Sequence, residues 1–354
     1  MIRPNLFDFA TSELSQDAFL CYLSSFAKEE YKDNTEEYNL ANKFLKEILE
    51  RCNIKDTKIE NLEIRKQYLN IDVLLIINKK YYIIIEDKIN ACEGDNQVNR
   101  YYQKLSNEVK SENIRTVYLK TGDESYYYLT TKGVNCIYLR KDMLKLKESY
   151  KGKNIIINDY FSNLQNIQDI QDNFKNKNLK TDVLNWNEIT GFYNALDNEF
   201  SKNILPYNLG FSWYYVPNPN GGFLCYCFYN IIPLKNFIVY LQFESNGISE
   251  KEKNDYLLGK NLKLVVKVHN DEKTNKYLYP IFDIFKSEWK DKIAFTRSKS
   301  FRSGYDMSLL TISPENSIAL NDNGTINIKK TVDNTINIIK EIKNLEDKFK
   351  KITL

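Results

Sequence analysis

Histidine is nearly absent: the chain holds one, His269, in 354 residues. A single imidazole cannot build a histidine-rich metal site, and a Ser-His-Asp hydrolase would have to rest on that one ring. His269 reads instead as a surface or satisfied strand-end residue. Glycine is also scarce, at 12, which leaves little material for glycine-rich phosphate cradles. Neither G-x-x-x-x-G-K-[ST] nor G-x-S-x-G occurs, so no P-loop and no nucleophile elbow is encoded. Six cysteines (21, 52, 92, 136, 225 and 227) are scattered. Cys225 and Cys227 share one face of a strand but have no second pair to complete a zinc site, so they read as buried thiols. The apolar runs fall far short of the roughly 20 residues of a membrane helix. The amino terminus, MIRPNLFDFATSELS, carries acids where a signal peptide keeps an apolar core. A cytoplasmic protein away from the membrane is therefore expected. The formal charge is only +3, so any phosphate-binding surface must be a local patch.

What is present fits a globular chain, with 42% hydrophobic and 27% charged residues, and 354 residues are enough for one large or two ordinary domains. The polar stretch from Lys175 to Lys180 marks a boundary, giving domains over 1–178 and 179–354. In the first, Ser12 is positioned to cap a helix from Glu13 to about Glu30, with Leu14, Ala18, Cys21, Tyr22 and Ser25 as its inward stripe. A second helix covers about Glu36 to Cys52, with Leu40, Phe44, Leu45, Ile48 and Leu49 facing the core. Strands follow over Lys58–Leu69, Asn113–Thr121, Tyr126–Leu129 and Cys136–Leu139. Helical patterns then fill 157–177 and 182–202. Beyond Pro206 the pattern changes to short strands: Phe211–Val216 and Phe223–Tyr229 joined by the turn Pro217–Gly222, then Phe237–Phe243, Leu262–Val268, Ile293–Arg297 and Leu309–Ser313, closed by a helix over Val332–Lys351. This half reads as an antiparallel sheet backed by helices. No repeat of 20–50 residues is evident.

The most informative stretch is Ile71–Tyr101. Val73–Ile77 and Tyr81–Ile85 are β-branched and aromatic runs separated by Asn78-Lys79-Lys80, the pattern of a hairpin. Alternation sends Glu86 and Lys88 to one face and Asp87 to the other with Ile83 and Ile85. A turn centred on Lys79 sets Asp72 opposite Glu86. Opposed Cβ atoms lie roughly 5 Å apart, within reach of one hard cation bound through oxygen at roughly 2.1 Å. A turn one residue longer or shorter would separate the two acids. Beyond the hairpin, Asp95 is placed as the N-cap of a helix over Asn96–Lys110, on which Gln97, Tyr101 and Lys104 or Leu105 share a side and Arg100 and Lys104 share the next.

Asp72, Glu86 and Lys88 together resemble the signature of the PD-(D/E)xK nuclease superfamily: an acid on one strand, a short connection, then (D/E)-x-K on the next. The helix carrying Gln97-Val98-Asn99-Arg100-Tyr101 resembles the Q-x-x-x-Y element of its RecB-like and lambda-exonuclease-like branches. Ile71 stands where the signature has proline. The resemblance covers about the first half of the chain and implies a restriction-endonuclease-like α/β/α core with a mixed sheet, followed here by a C-terminal α+β region of antiparallel strands. It further implies a Mg²⁺- or Mn²⁺-dependent hydrolase of phosphodiester bonds acting on nucleic acid, DNA ahead of RNA. Members frequently serve bacterial antiviral defence.

By the same resemblance Asp72 and Glu86 bind the metal with the main-chain carbonyl of Asp87, Lys88 orients water or stabilises phosphate charge, and Gln97 and Tyr101 face the substrate. Two readings stand for Glu13: an acid on the first helix that reaches the metal cluster, or a first-turn complement to the helix dipole. Asp17, one turn on, reads as structural or supporting. Arg100 and Lys104 either neutralise distant phosphates or are solvated. Arg297-Ser-Lys-Ser-Phe-Arg302 combines cations and an aromatic ring in a way that suits phosphate and base stacking, or is a loop of solvated charge. The alternative to a nuclease is a catalytically inactive module of this fold that binds nucleic acid or a protein partner. Association with a second copy of the chain is left open.

Overall fold

Runs of isoleucine, valine and leucine that cannot alternate with polar residues make strands buried on both faces, and they form the first sheet. In a computed structural model that describes residues 3–91, 96–130, 132–203, 209–217, 222–245 and 262–352, this sheet has five strands. They are β1 (Leu62–Tyr68), β2 (Ile71–Ile77), β3 (Tyr81–Lys88), β4 (Ile114–Lys120) and β5 (Cys136–Leu139), in sequential order. The first three are antiparallel; β4 and β5 add in parallel. The sheet is therefore mixed. The chain passes from β3 to β4 through α3 (Gln97–Ser106), the crossover that a parallel pair requires.

Helices α1 (Glu13–Ser25) and α2 (Thr35–Arg51) lie on one face of this sheet with α5 (Arg140–Lys147) and the start of α6 (Ile155–Asp172). There Leu20, Phe44, Leu45 and Ile48 meet Val73, Leu75, Ile83 and Ile85. On the opposite face, Tyr101 and Leu105 of α3 pack on Leu74, Ile76 and Ile84. The result is the expected α/β/α sandwich.

The chain divides into two units, 1–124 with 129–169 and 125–128 with 170–354. The second unit holds residues 126–128 of the short α4 (Tyr126–Thr130), α7 (Trp186–Asn203) and an antiparallel six-stranded sheet: β6 (Phe211–Val216), β7 (Phe223–Pro233), β8 (Ile238–Ser245), β9 (Leu262–His269), β10 (Phe295–Arg297) and β11 (Asp306–Ile312). The strand order is β10-β11-β9-β8-β7-β6. One face packs against α7, α8 (Leu278–Trp289) and α10 (Ile328–Lys343), through Phe192, Phe200, Phe285, Trp289 and Ile339. Two short helices, α9 (Pro314–Ser317) and α11 (Glu346–Lys350), complete it. Cys225 and Cys227 are fully buried on the other face with their sulfurs 3.7 Å apart, the thiol environment expected of them. His269, at the end of β9, is held by Asp306 at 2.9 Å and Asp271 at 3.1 Å.

Several local expectations need correcting. Ser12 does cap α1, accepting from the Ser15 amide at 3.3 Å, but the helix ends at Ser25 and its inward side is Gln16, Asp17, Phe19, Leu20, Leu23 and Ser24. Leu14 is 59% exposed, and Ala18 is exposed too. The polar residues at 16, 17 and 24 hide the true stripe. Tyr126–Leu129, expected as a strand, belongs to the helix α4, and α5 and α8 are helices that the sequence pattern does not announce. Residues 278–289 are so apolar and aromatic that their helical period does not stand out against a strand-like background. The N-cap assigned to Asp95 and most of the turn after Pro217 lie outside the described residues.

The β2–β3 turn sets the geometry of the strand ends. Asn78 and Lys79 have φ of 55° and 54°, the left-handed pair of a I′-like turn, closed by Lys80 N–H to the Ile77 carbonyl at 3.0 Å. Asn78 suits φ > 0, and its side chain ties the turn to the segment before β1: its oxygen accepts from the Glu60 and Asn61 amides at 2.9 and 3.0 Å, and its NH₂ donates to Lys58 O at 2.7 Å. Asn78→Ala is expected to destabilise the chain by about 1–3 kcal/mol in urea unfolding. Asn78→Gly, which keeps the backbone conformation, should cost less. Equal costs would contradict this account of the turn.

Candidate active site

The hairpin register pairs Val73 with Ile85 and Leu74 with Ile84. One step further, Asp72 comes beside Glu86. Continued alternation carries Glu86 and Lys88 out on the α3 face and Asp87 on the α1 face, as the sequence pattern predicts. Glu86 and Asp87 are both fully buried, and Lys88 is 7% exposed.

Lys88 is the hub. Its ammonium forms a direct ion pair with Glu86, lies 3.7 Å from Asp72 Oδ2 and 3.7 Å from Glu13 Oε2, and donates to the Asp87 carbonyl at 3.0 Å. Burial would depress its pKa. Glu86, Asp72 and Glu13 outweigh that and hold it at about 12. Main-chain amides fix two of the acids: Asp87 N–H donates to Asp72 Oδ2 at 3.0 Å, and Ile89 N–H donates to Glu13 Oε1 at 3.2 Å. The first turn of α1 thus reaches the end of β3. Close by, a Cβ at Gly122 would collide with the Ile89 carbonyl oxygen, so only glycine lets β4 leave the sheet past this point.

Behind the sheet, Asp87 accepts from Gln16 Nε2 at 2.6 Å, and Gln16 Oε1 accepts in turn from Thr121 at 2.7 Å and Tyr160 at 3.1 Å. Burial pushes the Asp87 carboxyl well above the usual range. The Gln16 bond opposes the shift, and the charges of Asp17, Asp72 and Glu13 reinforce it. Gln67, at the end of β1, has φ of 56°, and its NH₂ spans Asp17 Oδ2 at 3.2 Å and Asp72 Oδ1 at 3.4 Å. Asp17 is raised to about 6, by burial first and then by the charge of Asp72, against Lys66, Gln67 and Lys88.

Gln97 donates to the Tyr101 hydroxyl at 2.6 Å. Tyr101, on the same side of the sheet as the acids, has its pKa raised by burial, an effect opposed by Gln97 and then reinforced by Glu86 and Asp72. Lys104 lies with its ammonium 5.9 Å from the Tyr101 ring centroid.

The structure therefore gathers Asp72, Glu86, Lys88, the Asp87 carbonyl and Glu13, with Gln97 and Tyr101 on the same side. Two further residues, Gln16 and Gln67, escape sequence reasoning. Gln16 has a signal: with Glu13 and Asp17 it completes an i, i+3, i+4 polar face on one helix. Gln67 has none, since its role depends on a backbone conformation that glutamine seldom adopts.

The profile of a family described as PD-(D/E)XK nuclease superfamily matches residues 12–199, more than half of the chain. The chain belongs to the PD-(D/E)xK nuclease superfamily. Membership supports a nuclease in general terms, and nucleases of this superfamily generally use divalent metals. A curated protein, aminodeoxychorismate lyase of Saccharomyces cerevisiae, is 30% identical over 79 residues, 22% of this chain. The matched part covers 21% of that protein, which is too little to carry its activity across. No solved structure matches significantly. No helix of the described residues is long and apolar enough to cross a membrane.

As a PD-(D/E)xK protein, the chain offers oxygen donors of the kind that suit a hard divalent cation: two carboxylates that converge on one ammonium, plus a carbonyl. Among the described residues no three His, Cys, Asp or Glu side chains form a metal cluster by themselves.

The raised acid gives a test of the electrostatics. An Asp17 value of about 6 when folded, against about 4 when unfolded, means that the folded chain holds this proton more tightly. Stability then falls as pH climbs from about 4 through about 6. With chelator present, Asp17→Asn should gain more stability at pH 7 than at pH 4 in parallel urea titrations. An equal effect at both pH values would contradict the raised value.

Proposed function

We propose that the chain hydrolyses phosphodiester bonds of nucleic acid, DNA ahead of RNA, with Mg²⁺ or Mn²⁺ as cofactor. The observation that carries this reading is the convergence of Asp72, Glu86, Glu13 and the Asp87 carbonyl on the Lys88 ammonium. Asp72, Glu86 and the Asp87 carbonyl would hold the cation, with Glu13 beside them. A bound cation supplies polarisation of the phosphate and a lowered pKa for its water.

Protein groups do the rest. At about 12, Lys88 stays protonated throughout the neutral range, so its role is that of a fixed positive charge and donor rather than a general base. Placed among the acids, it stabilises the negative charge that builds on the phosphate oxygens. Asp72 is held in orientation by the Asp87 amide and Gln67, and Glu13 by the Ile89 amide. Such pre-set donors need no rearrangement when charge develops. Gln97 and Tyr101 act as a linked pair at the substrate side.

Labelled DNA and RNA, single- and double-stranded, incubated with Mg²⁺ or Mn²⁺ provide the test. Wild type is expected to cleave at least one of them. Lys88→Ala, Asp72→Asn and Glu86→Gln should each lower the rate by about 10²–10³. Cleavage by Lys88→Ala at the wild-type rate would remove its assigned role. Binding without cleavage by any form would favour an inactive module.

A further inference from the structure

The second unit carries a basic and aromatic surface that the site above does not use. It is made by the segment between β10 and β11, residues 297–306, and the loop at 270–276 after β9, linked by Asn275 Nδ2 to Phe301 O at 2.7 Å and by Asn270 N–H to Tyr305 O at 2.9 Å. These two segments hold five Lys and Arg (Lys273, Lys276, Arg297, Lys299 and Arg302) against three acids. The acids are engaged: Glu272 with Lys276 at 3.0 Å, Asp271 and Asp306 with His269. Arg297, Lys299 and Arg302 are exposed and have no carboxylate partner among the described residues.

Arg297 is held on three rings, 4.3 Å from the Phe301 centroid and 5.6 Å from those of Tyr279 and Phe282. Rings that pin a guanidinium reduce the entropy it loses on meeting an anion. Tyr279 is 55% exposed and Tyr305 50%. Tyr305 has the Lys273 ammonium 4.3 Å from its centroid. The surface therefore offers two half-exposed rings, Tyr279 with Arg297 over it and the Phe301 ring edge-on at 5.1 Å, and Tyr305 with Lys273 over it and the His269 ring near-parallel at 6.3 Å, beside cations that no carboxylate among the described residues pairs.

We infer that this surface binds single-stranded nucleic acid, with Tyr279 and Tyr305 stacking on unpaired bases and Arg297, Lys299 and Arg302 contacting phosphates. The choice of single strand follows from the rings, since a base inside a duplex offers no free face to an exposed tyrosine, whereas an unpaired base does. Lysine and arginine flanking aromatic rings match a polymer that alternates phosphates with bases. An acidic peptide would use the charges and leave the rings idle. The inference rests on the reading of the chain as one that acts on nucleic acid, but concerns a surface distinct from the acids of the first unit.

The test is fluorescence anisotropy of labelled oligo(dT) with the full chain in EDTA, where hydrolysis is off, alongside cleavage assays with metal. Tyr279→Ala and Tyr305→Ala, both at exposed positions and checked by thermal melting, should each weaken binding roughly five- to hundredfold. Arg302→Ala should lower the slope of log affinity against log salt by about 0.7. Retained binding by both tyrosine variants, or equal competition by polyglutamate, would overturn the surface. Failure of the nuclease reading appears differently, as oligonucleotide binding that depends on Tyr279 and Tyr305 with no cleavage by any form.

Discussion

The register of one β-hairpin decides whether this protein has a reaction centre. Asp72 and Glu86 lie on different strands and come together because Ile77 pairs with Tyr81 across Asn78-Lys79-Lys80. Side chains alternate every residue, so a slip of one would turn Asp72 away from Glu86 and Lys88 and drive Val73 and Leu75 out of the core that they fill with α2. Hydrophobic burial and the site thus demand the same pairing. The hydrogen bonds of Asn78 to residues 58–61 secure it from outside the hairpin.

Charge balance is the second constraint. Buried carboxylates that approach one another raise each other's pKa unless a cation intervenes, and at the end of β3 that cation is Lys88. The Asp87 carboxyl, facing the other way, has no ammonium paired with it among the described residues and is held by the neutral amide of Gln16. This explains why α1 turns a polar edge inward. Gln16 and Asp17 are placed where the strand ends carry charge, while Phe19, Leu20 and Leu23 fill the apolar ground further along.

Legibility in the sequence tracks these constraints. The hairpin, its facing and its acids are legible because β-branched runs and a three-residue connection leave few alternatives. The apolar stripe of α2 and the parallel strand after a crossover helix are legible for the same reason. The inward face of α1 is not, since periodicity of apolar residues points to Leu14 and Ala18 while tertiary contacts favour Gln16 and Asp17. Nor is the part played by Gln67, whose amide reaches Asp72 only from a left-handed backbone. In the second unit composition marks the strands, whereas α8 is hidden because Ile281 and Phe285 share their stretch with Leu278, Tyr279, Phe282 and Ile284.

Anomalous scattering from crystals soaked in Mn²⁺ addresses the central claim directly, because it locates the cation without requiring turnover. The account predicts a peak bounded by Asp72, Glu86 and the carbonyl of Asp87, lost in the Asp72→Asn protein. A peak elsewhere on the chain, or none at Mn²⁺ concentrations that support cleavage, would contradict it.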